Sequence, residues 1–189
     1  MNKFFKLKKL ILQTLFLYIF LLTSSSMGLE KYYRGVSVSN YFSGIISLQD
    51  YNYRDSYNFF KNLENLEDNH IRYSKSYIES LVNNSKINEA FQYSKKLKKK
   101  KLNFFHSDIV MISKFIKNNN FNKADKYFAS IENNNFTPLQ ELINQLIFSW
   151  IQVEKSKLNY YEAQKIFQLI SPKYKNIKKI NNVFLNCYF

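Results

Sequence analysis

Apolar residues recur along most of this chain at intervals of three and four, in stretches separated by short polar clusters. In "NNNFNKADKYFASI", Asn118 to Ile131, a polar break is followed by Phe121, Ala124, Phe128 and Ile131, which share one face of a helix. The same columns stand 34 residues earlier, and 34 earlier again. Ala124 aligns with Ala90 and Ser56, Phe121 with Ile87 and Tyr53, Phe128 with Ser94 and Phe60, and Ile131 with Leu97 and Leu63. A fourth copy, Tyr160, Ala163, Phe167 and Ile170, follows after 39 residues, with the surplus around "NNNFTPLQ". A small residue at each anchor is what two helices need where they approach closely.

The pattern predicts helix pairs at 37–49 with 53–66, 70–83 with 87–101, 104–117 with 121–133, and 138–155 with 159–170. Polar clusters such as "DYN", "NNSK" and "ENNN" mark the turns, with Asn as a helix terminator in place of Gly. "FTPLQE" predicts a helix start in detail: Thr137 as N-cap, Pro138 in the first turn and Gln140 at capping-box spacing. With 3 Gly and 2 Pro in 189 residues, turn-rich all-β architectures are disfavoured. The expected fold class is all-α. A helix pair cannot cover its own apolar face, so the pairs are expected to stack.

A period of 34 with a small anchor, a bulky residue three before it and an aromatic four after it resembles the tetratricopeptide repeat. The segments carrying the resemblance are "YNYRDSYNFFKNL", "SKINEAFQYSKKL", "NNFNKADKYFASI" and "LNYYEAQKIFQLI", within residues 37–171. The segment "SNYFSGIISLQDYNYRDSYNFFKNLE" also resembles exported tetratricopeptide proteins of alphaproteobacteria. Twelve residues before each anchor the family has a small residue. Gly44 fits that, whereas Ile78, Ile112 and Ile151 depart from it and imply wider helix packing. The resemblance implies an α-solenoid of about four helix pairs, with the first helix of each pair lining a concave surface that binds extended peptides. By alignment the inward positions include Tyr41, Ile45, Arg72, Lys75, His106, Ile109, Lys117 and Gln152. The carboxylate-clamp subclass has Lys and Asn where this chain has Tyr41 and Ile45, so capture of a C-terminal carboxylate in that manner is not expected.

The N-terminus has a different organisation. "MNKFFKLKK" is basic, Leu10 to Leu22 is almost wholly apolar, and "TSSSMG" is small, the three parts of a secretory signal peptide. Residues 1–28 are therefore expected to direct export to the periplasm or cell envelope, either cleaved or kept as an anchor. Residues 29–36 form a linker, and 172–189 a tail or partial cap. That tail, "KYKNIKKINNVFLNCYF" after Pro172, ends on Val183, Phe184, Leu185, Tyr188 and Phe189. They could tuck back onto the fourth pair, mark a truncated array, or meet a partner.

Charge adds one feature. The net charge is +14, and Lys95, Lys96, Lys98, Lys99, Lys100 and Lys101 form a dense run. It is either a polyanion patch for lipid head groups or nucleic acid, or the solvated end of a helix, where lysines complement the macrodipole. Arginine is confined to Arg34, Arg54 and Arg72, which disfavours nucleic acid. His70 and His106 lack partners at metal-ligand spacing, and the lone Cys187 makes neither a disulfide nor a metal cluster. The acids of "ENLEDN" (Glu64, Glu67 and Asp68) read as a helix end. No phosphate loop or nucleophile triad is present, so no catalytic residue, metal or cofactor is expected. The expectation is a non-catalytic scaffold that binds another protein, with peripheral membrane contact left open. The alternative is a basic helical protein that binds polyanions through the lysine run.

Overall fold

The computed structural model describes residues 35–63, 66–131 and 136–189. The expected signal segment, the linker up to Arg34, and Glu64 of the acidic cluster lie outside the described residues. Residues 40–189 form one compact unit. Among the described residues there are nine α-helices and no strand, so the protein is all-α. The helices are α1 (Gly35–Gln49), α2 (Tyr53–Lys61), α3 (Ile71–Asn83), α4 (Ile87–Lys99), α5 (Phe105–Lys117), α6 (Phe121–Ala129), α7 (Pro138–Ser156), α8 (Tyr160–Gln168) and α9 (Lys175–Tyr188), with single 3-10 turns at Leu66–Asp68 and Pro172–Tyr174.

The four anchors behave alike. Ser56, Ala90, Ala124 and Ala163 have no exposed surface. One turn conformation precedes each of them. Tyr51, Ser85, Asn119 and Lys157 have φ of 60, 58, 54 and 51°, in the left-handed region. The next N–H in each case reaches the carbonyl five residues back: Asn52 to Ser47, Lys86 to Leu81, Asn120 to Phe115 and Leu158 to Val153, at 2.8–3.2 Å. This bond satisfies a helix-end carbonyl that would otherwise be orphaned, as in a Schellman motif. The following helix is then capped by side chains at three of the four turns. Asn52 accepts from the Asp55 N–H, Asn120 from Lys123 and Asn159 from Glu162, whereas Lys86 makes no side-chain cap.

All four second helices end sooner than expected, α4 at Lys99 instead of 101 but still containing its apolar Leu97. α2, α6 and α8 stop at Lys61, Ala129 and Gln168, whereas helix was expected to 66, 133 and 170. Past each end the N–H of Leu63, Ile131 or Ile170 bonds to the carbonyl three residues back, at 3.0–3.3 Å. This tightened turn keeps the apolar residue on the packed side although the helix has ended. The expected start of α7 is present in full. Gln140 N–H donates to Thr137 Oγ1 at 3.3 Å, and Thr137 N–H donates to Gln140 Oε1 at 3.1 Å.

From α2 onward each helix packs on the next in sequence, and α3 also touches α5. Side chains set the spacing. Phe60 of α2 is fully buried, and its ring fills the space above Gly44 of α1, so that a Cβ there would lie 2.6 Å from Phe60 Cε1. At the equivalent position in the later pairs Ile78, Ile112 and Ile151 are themselves buried. Ile112, Ala124 and Ile151 join α5, α6 and α7 in one apolar cluster. The C-terminal residues form α9, which packs on α8 and buries Leu185 in a cluster with Ala163, Phe167 and Ile170. Trp150 Nε1 donates to Asn181 Oδ1 at 3.2 Å and ties α7 to α9. Val183, Phe184, Tyr188 and Phe189 remain exposed.

Candidate functional site

The residues expected to line a groove fall into three environments. Tyr41 and Ile45 are half-buried against the cluster of Phe60, Leu63 and Tyr73, with the Tyr41 ring 4.8 Å from that of His70. Gln152 is occupied across a helix pair, its Nε2 donating to Asp125 Oδ1 at 2.6 Å. Ile109 is half-buried, and Arg72 and Lys117 are exposed. Of the eight, Lys75 and His106 line one cavity together.

That cavity has a volume of 670 Å³ and is walled by parts of α3, α5 and α7 and by the chain leaving α4 and α6. Lys75 enters from α3. Lys98 enters from the last turn of α4, and Lys101 from the connection beyond it, where its left-handed φ of 58° turns the chain. Phe104, Phe105, His106 and Phe136 supply the aromatic surface, with the Phe105 and Phe136 ring centroids 6.1 Å apart and the His106 ring within 6 Å of both Phe104 and Phe105. Lys75 Nζ stands 5.7 Å from the Phe104 centroid, and Lys98 Nζ 5.1 Å from that of Tyr127, both within cation–π reach. Phe104 occupies the N-cap of α5 and has no side-chain acceptor to offer its first N–H groups.

Asp108 is the carboxylate of the cavity wall, and it is buried. Its Oδ1 accepts from Tyr127 Oη at 2.7 Å, and Asn103 Nδ2 lies 3.3 and 3.4 Å from its two oxygens. Burial pushes this carboxyl above its usual range, partly offset by those hydrogen bonds and by Lys98. The imidazole of His106 is pushed the opposite way, below the usual histidine value, first by partial burial and then by the Lys75 ammonium, with Glu79 acting in the other sense. Burial and the adjacent Asp108 hold the Tyr127 phenol up, so it stays a donor.

The lysine run is divided. Lys96 and Lys100 both meet the buried Glu67 carboxylate, and Lys100 also meets Asp68 at 2.6 Å, so these two clamp the 3-10 turn onto α4. Lys95 lies over Phe91, Lys99 is exposed, and Lys98 and Lys101 face the cavity. His70 caps α3, its Nδ1 accepting the Tyr73 N–H at 3.0 Å. Asn103, Phe104, Phe105, Asp108 and Phe136 were missed as site residues. The available signal was "LNFFH", an aromatic pair and a histidine at a helix start. Among the described residues no group of His, Cys, Asp and Glu is placed to hold a metal ion, and no helix is long and apolar enough to cross a membrane. Comparison with protein-family models, with curated proteins and with solved structures finds no match to this chain.

Proposed function

We propose that this chain is a non-catalytic binding module built of helical-hairpin repeats of the tetratricopeptide kind, holding another protein along the face formed by the first helices of its pairs. The observation that carries this reading is a recurrent hairpin turn at residues 51, 85, 119 and 157, each followed by a fully buried small anchor. Tyr51, Ser85 and Asn119 are separated by 34-residue steps and Lys157 follows after 38, a recurrence that amphipathic faces alone do not require. Contact between α3 and α5, the first helices of successive pairs, supports stacking. Arg72, Lys75, His106 and Lys117 stand exposed on those two helices and would meet a partner through charge and hydrogen bonding. The basic and apolar opening of the sequence supports export to the periplasm or envelope.

Polyanion binding by residues 95–101 weighs less, because Lys96 and Lys100 are already engaged by Glu67 and Asp68. One experiment separates the two. A photo-crosslinking residue placed at Arg72, Lys117 or Lys99 of the full chain is activated in intact envelopes at about 50 and 200 mM salt. The binding-module reading expects a discrete protein adduct from Arg72 and Lys117 at both salts. Adducts from Lys99 alone, lost at the higher salt, would transfer the function to the lysine run. N-terminal sequencing of the mature chain tests export, and an intact Met1 in the cytoplasm would reject it.

A further inference from the structure

We infer that the cavity between α3, α5 and the start of α7 is a binding site for an anion carried on a flat apolar body, such as an aryl phosphate or aryl carboxylate. Three lysines line it from separate segments, Lys75, Lys98 and Lys101, with Lys75 Nζ over the Phe104 ring of the same wall. Among the described residues none of the three is ion-paired, although the chain pairs Lys86, Lys96, Lys100, Lys155 and Lys157 with carboxylates. The negative side chain in the wall, Asp108, has its oxygens taken by Tyr127 and Asn103, so the lysines are not neutralised by direct contact with it. Cations converging on a partly desolvated concavity concentrate a positive field there.

The apolar component is equally local. Phe104, Phe105 and Phe136 present rings to the same space, and Ile131 adds an aliphatic side. At 670 Å³ the volume lies within the range of small-ligand sites, roughly 300–1,000 Å³, and far exceeds what a lone inorganic ion fills. Asn103, Ser130 and Gln140 add neutral hydrogen-bonding groups that could fix orientation. A cation ligand would meet three lysines against one occupied carboxylate, and a wholly apolar ligand would leave the ammonium groups desolvated without compensation. The required chemistry is carried by a free small molecule and by an acidic, aromatic segment of a partner.

The test uses the full chain labelled with 15N, with phenyl phosphate as the primary probe. Inorganic phosphate, benzyl alcohol and the peptides acetyl-Glu-Phe-Glu-amide and acetyl-Gln-Phe-Gln-amide are titrated alongside. Phenyl phosphate is expected to shift the amides of Asn103 to Asp108 and Ser130, and to bind about tenfold more tightly than inorganic phosphate or benzyl alcohol. Lys75→Gln and Lys98→Gln should each weaken it by about tenfold, and Lys98→Arg should restore most of the loss. Lys99→Gln removes the same charge outside the cavity and should change nothing. Circular dichroism confirms that each variant is folded. If the Glu peptide binds more tightly than phenyl phosphate and the Gln peptide does not bind, the site is confirmed and its natural source is a protein segment. Equal binding of inorganic phosphate or of benzyl alcohol overturns the inference. So does a phenyl phosphate response that leaves the cavity amides unmoved, or a Lys99→Gln variant as weak as Lys98→Gln. None of these outcomes bears on crosslinking at Arg72 and Lys117, so this site and the binding-module reading fail separately.

Discussion

Two buried carboxylates in this chain should respond to acid in opposite directions. Asp108 has its carboxyl raised by burial, so between the ordinary carboxylate value and its native value the folded chain holds a proton that the unfolded chain has lost. Stability therefore falls as pH climbs through that window. Asp108→Asn should remove this dependence and raise stability at neutral pH by about 1 kcal/mol, read from urea midpoints at pH 4 and 7. For Glu67, burial alone would raise the carboxyl, but hydrogen bonds from Lys96 and Lys100 outweigh it and the net value lies below the reference of 4.5. Its contribution is fully present above 4.5 and is lost as pH falls through the lower native value. Glu67→Gln should cost about 1 kcal/mol at neutral pH, a figure reduced for the solvent exposure of both lysines, and nothing in strong acid. Ser56 Oγ and Ser94 Oγ are buried without a hydrogen-bond partner. Ser56→Ala and Ser94→Ala should each stabilise by about 1 kcal/mol in the same assay, since the small volume is kept and an unsatisfied hydroxyl removed. Ala already stands at the other three anchors, Ala90, Ala124 and Ala163.

The elements depend on a few steric and capping details that hydrophobic periodicity does not specify. Gly44→Ala should destabilise by about 1–3 kcal/mol, because the fully buried Phe60 ring occupies the space its methyl would need. Pairing it with Phe60→Leu should recover part of that loss in a double-mutant cycle, whereas additive costs would mean that the two side chains do not compete for space. The left-handed turns give a second handle. A non-Gly residue in that region costs about 1–2 kcal/mol, while Gly loses about 0.4–1 kcal/mol more entropy on folding. Ser85→Gly should therefore stabilise by about 0.5 kcal/mol. His70→Ala, which removes the acceptor for the Tyr73 N–H, should cost about 1 kcal/mol. These positions explain why helix existence was legible from sequence and helix ends were less so. The apolar columns continue past Lys61 and Ala129 at unbroken spacing, but the chain tightens into an i-to-i−3 turn that buries Leu63 and leaves Ile131 half-buried. Periodicity records which face is apolar, and a tightened turn can preserve that face after the helix has ended.

Across the whole molecule, α9 covers the apolar side of α8, with Leu185 fully buried among Ala163, Phe167 and Ile170. Leu185→Ala should cost about 2–5 kcal/mol and lower the thermal midpoint of the full chain. The exposed neighbour Val183→Ala should have little effect, which separates lost packing from a general change in α9. Alternate lysines of the run likewise serve different tasks. Lys96 and Lys100 clamp the turn before α3, and Lys98 and Lys101 reach a cavity walled by Lys75 from upstream, by the adjoining Asn103–Asp108 segment, and by Ser130, Ile131, Phe136 and Gln140 from further along the chain. Residues expected together in one groove fall in different environments, because alignment to a helix face does not reveal which neighbour covers that face. Tyr41 and Gln152 were placed on helices as expected, but their side chains are engaged by His70 and Asp125.

The sequence by itself determined the all-α class, the spacing of the helices, the four small anchors and the capped start of α7. Each of these follows from local periodicity or from residues within a few positions of one another. Only the tertiary structure decided that Lys96 and Lys100 are spent on Glu67, that Phe60 seals against Gly44, and that Lys75, Lys98, Lys101 and Phe136 meet around one cavity. Those groups are distant in sequence, and their convergence depends on the way successive helices turn and pack. A hydrophobic pattern states which side of a helix seeks cover. The packed chain selects the side chain that provides it, and which charges are left to meet a ligand.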